Sequence, residues 1–562
     1  MFTVTFKQSG SGDVKVSAAL GENLLSLADK AGIRIDAPCA GNGTCGKCRL
    51  RLISGAVDQV PNQHLSKEDK ADGWILACQS SVCGDCTLLV PDSARAFVSG
   101  IQTADLGTAQ ERHMYEQAIG EIFAPDTGLH TGCPEKGAGI AIDIGTTTVT
   151  GALLDLETGE LRSKASAGNQ QIRYGADVIN RIIRQSQPGG VERLRHAVRE
   201  DTVNRLIAIM CKGAGLKAPD LKRFSIVGNT TMEHLFVGED AESIRLEPYV
   251  PKFLELHGKT AGELGIPGDK NARVIFAPNV GSYVGGDISA GVLSSMIWNS
   301  EALSLFVDLG TNGELVLGNS DWLLCCACSA GPAFEGGDIS CGMRATQGAI
   351  QAVDLDPDTM EPTYDIIVTD PEAERKYAGL CGSGLISLVG ELFRCGVINS
   401  RGKFVREGRR VVRNEYGGAY VVAFPEESAS GSRLTLDETD IDNFIRAKAA
   451  IFSAIRAMLN SVELTVDDLE RVIIAGGIGS GINIEEAISV GMLPKIPVDK
   501  YSYIGNSALT GACAMLLSDE AEEKVYELGR NMTYLELSTH PGYMDEFVAA
   551  CFLPHTDATL FD

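Results

Sequence analysis

The sequence lacks long hydrophobic runs and is short of positive charge. No stretch of about 18 consecutive apolar residues occurs, so we expect no membrane-spanning helix. The 49 lysine and arginine residues are outnumbered by 74 acidic residues, which gives a net charge of −25. Such an acidic surface repels nucleic acids and anionic membranes, so we expect neither as a partner. The amino terminus also lacks the charged start and apolar core of a signal peptide, which predicts a cytoplasmic protein.

The motifs of hydrolases and zinc proteases are also missing. Only eight histidines occur, and none of them lies in an HExxH motif or in a recognisable Ser-His-Asp set. His234 follows a glutamate on a predicted helix, and His555 lies close to the carboxyl terminus. We interpret both as structural residues.

Cysteine, in contrast, is abundant, with 16 residues in a chain of 562. In a cytoplasmic protein this number indicates metal or redox chemistry rather than structural disulfides. Some cysteines lie in apolar stretches and are predicted to be small buried hydrophobic side chains, namely Cys211, Cys395, Cys513 and Cys551.

The first 92 residues predict a small α+β domain. Alternating apolar residues indicate strands, and a short apolar face that ends at Gly32 indicates a helix. A loop rich in glycine and cysteine separates this helix from the third strand. The predicted strands cover 2–6, 13–17, 49–53 and 87–90, and the helix lies around 24–28.

The cysteine spacing in this loop predicts an iron–sulfur cluster. Five residues separate Cys39 from Cys45, and two separate Cys45 from Cys48. The first gap is one residue longer than in plant-type ferredoxins and resembles that of adrenodoxin-like and bacterial [2Fe–2S] ferredoxins. The glycines of the loop allow backbone N–H groups to turn toward cluster sulfurs. The proposed ligands are Cys39, Cys45, Cys48 and the distant Cys78.

Two other interpretations of these cysteines are less favoured. A structural zinc site would normally use paired CxxC knuckles, and unligated cysteines would leave the density of glycine unexplained. Cys83 and Cys86 continue the spacing after Cys78, so they offer an alternative ligand or a second metal site. We favour instead a Gly-Asp turn between two strand ends, without metal.

Three glycine loops later in the chain predict a nucleotide site. Asp143-Ile-Gly-Thr-Thr-Thr148 follows an apolar strand, and Asp308-Leu-Gly-Thr-Asn-Gly313 repeats the pattern. Backbone amides and hydroxyls of such loops cradle phosphates, and an aspartate at a strand end can hold a magnesium-bound water. The third loop, Gly476-Gly-Ile-Gly-Ser480, follows another buried strand and allows a base or ribose to approach the backbone. One such loop is a common hairpin, whereas three in order favour nucleotide binding.

These segments resemble, in their order, the superfamily of acetate and sugar kinases, Hsp70 and actin (ASKHA). The resemblance implies two RNase H-like halves around a cleft for ATP and Mg²⁺, with Asp143 and Asp308 as catalytic residues that organise the metal. Residues 227–231 and 504–508 match the connecting segments of the superfamily. The implied nucleotide-binding residues are Gly145, Thr146, Thr147, Thr148, Asn229, Thr230, Gly310, Thr311, Asn312, Gly313, Gly382, Ser383, Gly384, Gly476, Gly477, Gly479 and Ser480.

From residue 137 onward, buried strands alternate with helices, which predicts an α/β fold. The two similar aspartate loops predict related halves at about 137–302 and 303–562, and residues 93–136 are predicted to be a linker with a helix around 109–122. The other predicted strands are 138–144, 149–155, 223–227, 272–277, 303–308, 313–317 and 471–475. The predicted helices are 175–186, 191–212, 283–297, 382–395, 440–460 and 505–517.

The combination of a ferredoxin with this ATPase is more specific than the superfamily. It resembles the reductive activators of corrinoid proteins, also described as ferredoxin-plus-ASKHA proteins. The segments that carry the resemblance are 76–79, 227–236, 247–251, 328–336 and 554–557. Relatives can have a separate middle domain between the two parts. Because only residues 93–136 lie between them here, we expect that domain to be missing or reduced.

The resemblance implies ATP-dependent one-electron reduction of a corrinoid protein from Co(II) to Co(I), which rescues a corrinoid methyltransferase system. It implies a [2Fe–2S] cluster, ATP and Mg²⁺ as cofactors. The implied partners are the Co(II) corrinoid protein and a low-potential electron donor, and a homodimer is left open. We expect the corrinoid-facing surface near residues 328–336, with the hydroxyl of Ser329 facing cobalt.

Three other functions fit parts of the sequence. A small-molecule kinase of the same superfamily would leave the ferredoxin unexplained. An activator of a 2-hydroxyacyl-CoA dehydratase also couples ATP to electron transfer, but that class uses a subunit-bridging [4Fe–4S] cluster, which the cysteine spacing disfavours. A nucleotide-gated redox carrier or sensor would bind a partner without ATP turnover.

Overall fold

The structure is a computed structural model of the chain. It describes residues 1–561 except for 9–10, 34, 36, 38–40, 42, 44–45, 63, 66, 92–105, 370–373, 415–416 and 478–480. Within this described part, no helix has the length and hydrophobicity needed to cross a bilayer.

The amino-terminal domain is a five-stranded mixed sheet with a helix packed across it. Its elements are β1 (Phe2–Gln8), β2 (Ser11–Ala18), α1 (Leu24–Lys30), β3 (Arg49–Gln59), α2 (Lys67–Ala71), β4 (Trp74–Leu76) and β5 (Ser80–Val90). The strand order is β2-β1-β5-β3-β4, and β1 and β5 are parallel. Helix α1 begins where the Asn23 side chain accepts the N–H groups of Leu25 and Ser26. The predicted α+β ferredoxin fold is confirmed.

The segment from Cys83 to Cys86 is not the turn that the sequence predicts. It lies inside β5, where Val82 pairs with Val57 and Cys86 pairs with Gly55. Three residues of β5 therefore face one residue of β3, and the excess forms a bulge. Gly55 makes room for it, since a Cβ there would lie 2.1 Å from the carbonyl oxygen of Asp85.

The rest of the chain is built from two large sheets, two small sheets and surrounding helices. The strands are β6 (Ala138–Ile144), β7 (Thr148–Asp155), β8 (Leu161–Gly168), β9 (Leu221–Gly228), β10 (Lys259–Thr260), β11 (Arg273–Phe276), β12 (Ser304–Leu309), β13 (Gly313–Gly318), β14 (Leu323–Cys328), β15 (Ala349–Leu355), β16 (Pro362–Ile366), β17 (Gly379–Leu380), β18 (Val411–Asn414), β19 (Gly417–Ala423), β20 (Leu434–Asp437), β21 (Arg471–Ala475), β22 (Tyr501–Tyr503) and β23 (Thr533–Tyr534). The helices are α3 (Ala109–Ile122), α4 (Val178–Gln185), α5 (Gly190–Val198), α6 (Asn204–Gly213), α7 (Thr230–Val237), α8 (Glu242–Arg245), α9 (Ala261–Leu264), α10 (Gly286–Ser295), α11 (Gly382–Arg394), α12 (Glu438–Ser461), α13 (Ile484–Ser489), α14 (Ser507–Leu517), α15 (Asp519–Asn531) and α16 (Tyr543–Ala550).

The two large sheets share the same connectivity. Their orders are β10-β11-β9-β6-β7-β8 and β22-β21-β12-β13-β14-β23. In each sheet an antiparallel meander, β6 to β8 or β12 to β14, is extended by parallel strands, β9 and β11 or β21 and β22. This repetition confirms the two RNase H-like halves. Two three-stranded sheets, β16-β15-β17 and β18-β19-β20, are additional.

The strands and helices predicted from residue 137 onward are present, with one difference in the helices. The region 191–212 contains two helices, α5 and α6, joined by a π-helical turn at Arg199–Val203. There the hydroxyl of Thr202 donates to the carbonyl of Ala197, and the buried Arg199 side chain reaches the carbonyl of Phe236. These contacts between side chains and backbone replace the regular helical pattern.

Helices α10 and α14 connect the two halves at their common core. The residues of α14 are buried all round, as expected of a helix that is apolar on every side. One hydrophobic cluster joins α10 and α14 with strands of both sheets and with Ile122 of α3. The helices approach closely because Gly511 has no Cβ; a Cβ there would lie 2.1 Å from the carbonyl oxygen of Ala290.

Replacing Gly511 by alanine should therefore destabilise the part of the chain built on the two large sheets by about 1–3 kcal/mol, because the added methyl group forces two packed helices apart. Thermal unfolding should show a lower melting temperature. The matched control is Gly120→Ala on the exposed face of α3, where an added Cβ meets nothing within 4 Å. That change should be neutral or slightly stabilising. Equal melting temperatures for the two variants would contradict the prediction.

Candidate functional site

Two of the four predicted cluster ligands lie side by side in the ferredoxin domain. The sulfur atoms of Cys48 and Cys78 are 3.3 Å apart, and both side chains are buried. The side-chain amide of Asn23 donates to the carbonyl of Cys78 at 2.8 Å and holds that backbone in place. Cys39 and Cys45 lie outside the described residues. The described pair fits a thiolate site shielded from water.

The glycines of the cysteine loop adopt a backbone that other residues avoid. Gly41, Gly43 and Gly46 have φ angles of 89°, 80° and 65°. A Cβ on Gly43 would lie 2.4 Å from the Gln79 side chain, and one on Gly46 would lie 2.8 Å from His64. The loop is therefore held close to its neighbours by positions that only glycine fits easily. The predicted turning of their N–H groups toward cluster sulfurs stays a prediction.

The two aspartate loops meet at the cleft between the halves. Asp143 is the last residue but one of β6, and Asp308 is the last residue but one of β12, so each carboxylate lies at the same place in its own sheet. The start of α14 contacts both of them. The Asn506 amide donates to Asp143 at 2.8 Å, and the Ser507 hydroxyl lies 3.3 Å from Asp308. The second connecting segment thus joins the two loops.

The cleft holds two further carboxylates that the sequence analysis does not identify. Asp287 lies in the first turn of α10 and Glu314 on β13. Burial raises the pKa of Asp143 to about 7, with a further contribution from Asp308. Burial likewise raises the pKa values of Asp287 and Glu314, and the charges of neighbouring carboxylates add to both shifts. Four acidic groups thus share one cleft.

The first predicted phosphate loop is held by buried polar side chains behind it. Thr146 accepts a hydrogen bond from the Asn229 amide at 2.9 Å, so this loop and the first predicted connecting segment lie together. The Arg181 guanidinium, which is fully buried, donates to the carbonyl of Thr146. Thr230 points elsewhere, since its hydroxyl donates to the carbonyl of Gly281 at 2.7 Å. The geometry therefore brings Asn229, but not the hydroxyl of Thr230, toward the loop.

A glutamate bridges the two phosphate loops. The hydroxyl of Thr147 donates to one carboxylate oxygen of Glu335 at 2.6 Å, and that of Thr311 donates to the other at 2.9 Å. The two hydroxyl oxygens are also 2.9 Å apart. Glu335 ends a short 3₁₀ turn at Pro332–Glu335. The sequence analysis places this residue on the corrinoid-facing segment and misses its position in the cleft.

The glycine loop after β21 lies against the second phosphate loop. A Cβ on Gly476 would lie 2.3 Å from the carbonyl of Leu309 and 2.7 Å from a carboxylate oxygen of Asp308. A Cβ on Gly481 would lie 3.1 Å from the hydroxyl of Ser383, at the start of α11. The predicted adenosine loop and the predicted Gly-Ser-Gly contact are therefore neighbours. Gly479 and Ser480 lie outside the described residues.

The remaining predicted positions form the backbone of the cleft. The carbonyl of Gly145 accepts the Asn169 amide, and the N–H of Gly310 donates to the carbonyl of Asn312. Other positions begin an element, namely Thr148 of β7, Gly313 of β13 and Gly382 of α11, with Gly384 two residues later. In the described part of the chain, no three histidine, cysteine, aspartate or glutamate side chains form a ready metal site.

Comparison with known families divides the chain into three matched regions. Residues 6–83 match a 2Fe-2S iron-sulfur cluster binding domain, residues 138–300 match the RACo middle region, and residues 302–562 match the C-terminal ASKHA domain of RACo. The corrinoid activation enzyme RamQ of Eubacterium limosum is 32% identical over 421 residues, which cover 73% of this chain and 69% of that protein. The chain belongs to the family of reductive activators of corrinoid proteins.

Two other relatives agree with this assignment. The [Co(II) methylated amine-specific corrinoid protein] reductase of Methanosarcina barkeri is 25% identical over 424 residues, which cover 70% of this activator and 73% of that protein. A solved structure named reductive activator for corrinoid,iron-sulfur protein is 37% identical, with a TM-score of 0.70 and full coverage of both chains. The match of 138–300 also corrects one expectation. The middle region is present, and it is the part that forms the first RNase H-like half.

Replacing Cys48 or Cys78 by serine should remove the [2Fe–2S] cluster, because each change deletes a thiolate from a pair whose sulfur atoms are 3.3 Å apart. Anaerobic visible and electron paramagnetic resonance spectra of the reconstituted protein measure the loss. Cys83→Ser is the matched control, since Cys83 is exposed on β5. It should keep the full signal. A full cluster signal in both the Cys48 and Cys78 variants would contradict the assignment.

The four acidic groups predict that the free energy of unfolding falls as the pH rises. Burial raises the pKa of Asp143 from 3.8 to about 7, with a further contribution from the charge of Asp308. The unfolded carboxyl is already ionised above pH 4, whereas the folded one ionises only near pH 7, so the free energy of unfolding falls as the pH rises from about 4 until the folded group is ionised. Without Mg²⁺, the part of this loss that occurs between pH 6 and 8 should be on the order of 1 kcal/mol.

Asp287→Asn tests this prediction by removing one of the four charges. Relative to the wild type, its melting temperature in EDTA should rise progressively from pH 6 to pH 8, because the wild type alone ionises Asp287 in that range. Asp321→Asn, at an exposed position outside the cleft, is the control and should follow the wild type. Parallel pH profiles for all three proteins would disprove the repulsion.

Proposed function

We propose that this protein reduces the Co(II) form of a corrinoid protein to Co(I) with one electron, at the expense of ATP. The observation that carries the proposal is the presence of both parts in one chain. Residues 6–83 match a [2Fe–2S] domain, and residues 302–562 match the ASKHA domain of a reductive activator. A small-molecule kinase does not require the [2Fe–2S] domain, and a ferredoxin does not require the ASKHA domain.

The electron carrier would be held by Cys39, Cys45, Cys48 and Cys78. When bound, a [2Fe–2S] cluster accepts and donates one electron at a time. The chain contributes the burial of Cys48 and Cys78, which excludes water from these ligands. It also contributes the glycine backbone that brings the loop close to the sulfur atoms. A low-potential donor would supply the electron.

The nucleotide would lie between the two halves. We assign the phosphates to the loops at 143–148 and 308–313, whose hydroxyls and backbone amides can donate hydrogen bonds. Asp143 and Asp308 would orient Mg²⁺ through its water ligands, and Asp287 and Glu314 lie close enough to add to this field. The adenosine would lie against the loop at 476–480 and the start of α11. A divalent cation would relieve the repulsion among these carboxylates.

The energetic task explains why a nucleotide is needed. Plant-type [2Fe–2S] clusters have potentials near about −400 mV, and we expect the Co(II)/Co(I) couple to lie lower. Each 100 mV uphill costs about 2.3 kcal/mol per electron. A coupling free energy of about 1–3 kcal/mol between two sites is of this size. The activator would bind the Co(II) partner tightly, and ATP would weaken the complex after the electron has moved.

The surface for the partner is proposed at residues 328–336. Ser329 follows the last residue of β14 and is exposed, so its hydroxyl is available to a ligand. The ferredoxin domain approaches the same region, because the ammonium group of Lys47 donates to the carbonyl of Gly342 at 2.9 Å. Lys47 lies between the proposed ligands Cys45 and Cys48. The cluster, which would donate the electron to cobalt, and the proposed partner surface would thus lie on one side of the carboxyl-terminal RNase H-like half.

Anaerobic visible spectroscopy of a Co(II) corrinoid protein, mixed with this protein and a reductant, tests the proposal. The Co(I) absorption should grow only when Mg-ATP is present. Cys78→Ser should bind nucleotide normally and produce no Co(I), since it lacks the electron carrier. If several corrinoid proteins stay in the Co(II) state while the [2Fe–2S] signal is intact, the proposal is wrong. ATP use that then depends on a small hydroxyl or carboxyl substrate would indicate a kinase.

A further inference from the structure

We propose that Glu335 is a clasp that closes the nucleotide-free cleft and is displaced by the phosphates of Mg-ATP. Its release would free residues 329–342, the segment between β14 and the contact with the ferredoxin domain. The inference rests on the proposed nucleotide site, because it assigns the phosphates to the two threonine loops. It goes further by naming the group that the phosphates replace and the segment that responds.

The clasp joins loops from two different sheets. Thr147 belongs to the loop after β6 and Thr311 to the loop after β12, and one carboxylate accepts the hydroxyl groups of both. The N–H groups and hydroxyls of these loops are the donors that a phosphate would use. Glu335 therefore occupies the place of an anion between the two halves.

Glu335 and a phosphate cannot use the same donors together. Each threonine hydroxyl has one proton to donate, and both protons are directed at the carboxylate at 2.6 and 2.9 Å. A phosphate group in the same place would also put two anions in contact, within a cleft where burial weakens the screening by water. Binding of ATP phosphates at these threonines consequently requires the Glu335 side chain to leave.

A fixed cation behind the loop favours this exchange. Arg181 is fully buried and donates to the carbonyls of Thr146 and Gly175 and to the side chain of Gln171. Burial lowers the pKa of Arg181 to about 9, against the opposing effect of Asp177 and Glu335, so the group stays charged at neutral pH. Its hydrogen bonds do not involve Glu335. The positive charge therefore remains in place when the carboxylate is replaced by a phosphate.

The chain on both sides of Glu335 is packed, so its carboxylate is directed at the cleft by its neighbours. Phe334 contacts Phe444 of α12 edge to face at 5.8 Å. Gly336 has a φ of 76°, and a Cβ there would lie 2.4 Å from the backbone nitrogen of Met343. The peptide after Glu335 thus touches the backbone next to Gly342, whose carbonyl accepts the ammonium group of Lys47.

The segment therefore touches three functional parts of the molecule. It carries the exposed Ser329 near one end, the clasp at Glu335, and the contact with the cluster loop at Gly342. Release of the carboxylate removes two hydrogen bonds that hold the segment to the phosphate loops. The nucleotide state would then alter the mobility of the segment that faces both the ferredoxin domain and the proposed partner surface.

Nucleotide affinity tests the clasp directly. Glu335→Gln keeps the shape and removes the charge, and Glu335→Ala removes the acceptor. Calorimetry on the full-length, cluster-loaded protein without corrinoid partner should show Mg-ATP binding that is tighter by about fivefold or more in both variants. Glu301→Gln, an identical change at an exposed residue outside the cleft, should match the wild type. Unchanged or weaker binding in the Glu335 variants would overturn the proposal and indicate a group that binds Mg²⁺ or orients water.

Hydrogen exchange tests whether release of Glu335 makes residues 329–342 more mobile. Peptides that cover 329–342 should exchange faster when Mg-ATP is added to the wild type. In E335A, which lacks the acceptor, they should exchange fast already without nucleotide, and addition of Mg-ATP should change them little. Slow exchange in nucleotide-free E335A would contradict the clasp. Neither experiment contains a corrinoid protein. Both therefore test the role of Glu335 even if the protein proves unable to reduce a corrinoid partner.

Discussion

Repulsion among the carboxylates of the cleft is the constraint around which the cleft is organised. Asp143 and Asp308 lie one residue before the ends of equivalent strands of the two sheets, and Asp287 and Glu314 add further acidic groups. Burial raises the pKa values of all four groups, and the charge of Asp308 adds to the shifts of the other three, so the cleft resists full ionisation. A polyphosphate alone would increase the repulsion, whereas a magnesium complex brings the positive charge that these groups need. The same acids that destabilise the empty cleft thus favour one ionic form of the ligand.

The start of α14 links the acidic cleft to both halves of the molecule. The start of α14 contacts Asp143 from one sheet through Asn506 and Asp308 from the other through Ser507. Behind that contact, α14 and α10 pack at a distance that Gly511 permits. A rotation of one half against the other would therefore disturb these contacts with the two aspartates.

The elements and loops with local signals were predictable, and the long-range contacts were not. Continuous apolar strands and apolar helices identified most of both halves, and the cysteine spacing indicated four candidate cluster ligands. The prediction of a turn at Cys83–Cys86 was wrong, because a bulge and a turn can share the same Gly-Asp composition. Only the pairing of Cys86 with Gly55 distinguishes them. Asp287, Arg181 and Glu335 lie far from the glycine loops in sequence. Their roles depend on tertiary contacts that no local pattern records.

Coupling of a nucleotide to an electron requires an element that both sites can bias. The loop that holds the proposed cluster ligands reaches the second half through Lys47 and Gly342, and the phosphate loops reach the same segment through Glu335. Each contact is one or two hydrogen bonds, and a net hydrogen bond to a charged group contributes about 1.5–3 kcal/mol. That is the energy of an uphill transfer over roughly 100 mV. A few polar contacts on one segment are therefore sufficient in size to connect ATP binding with electron transfer.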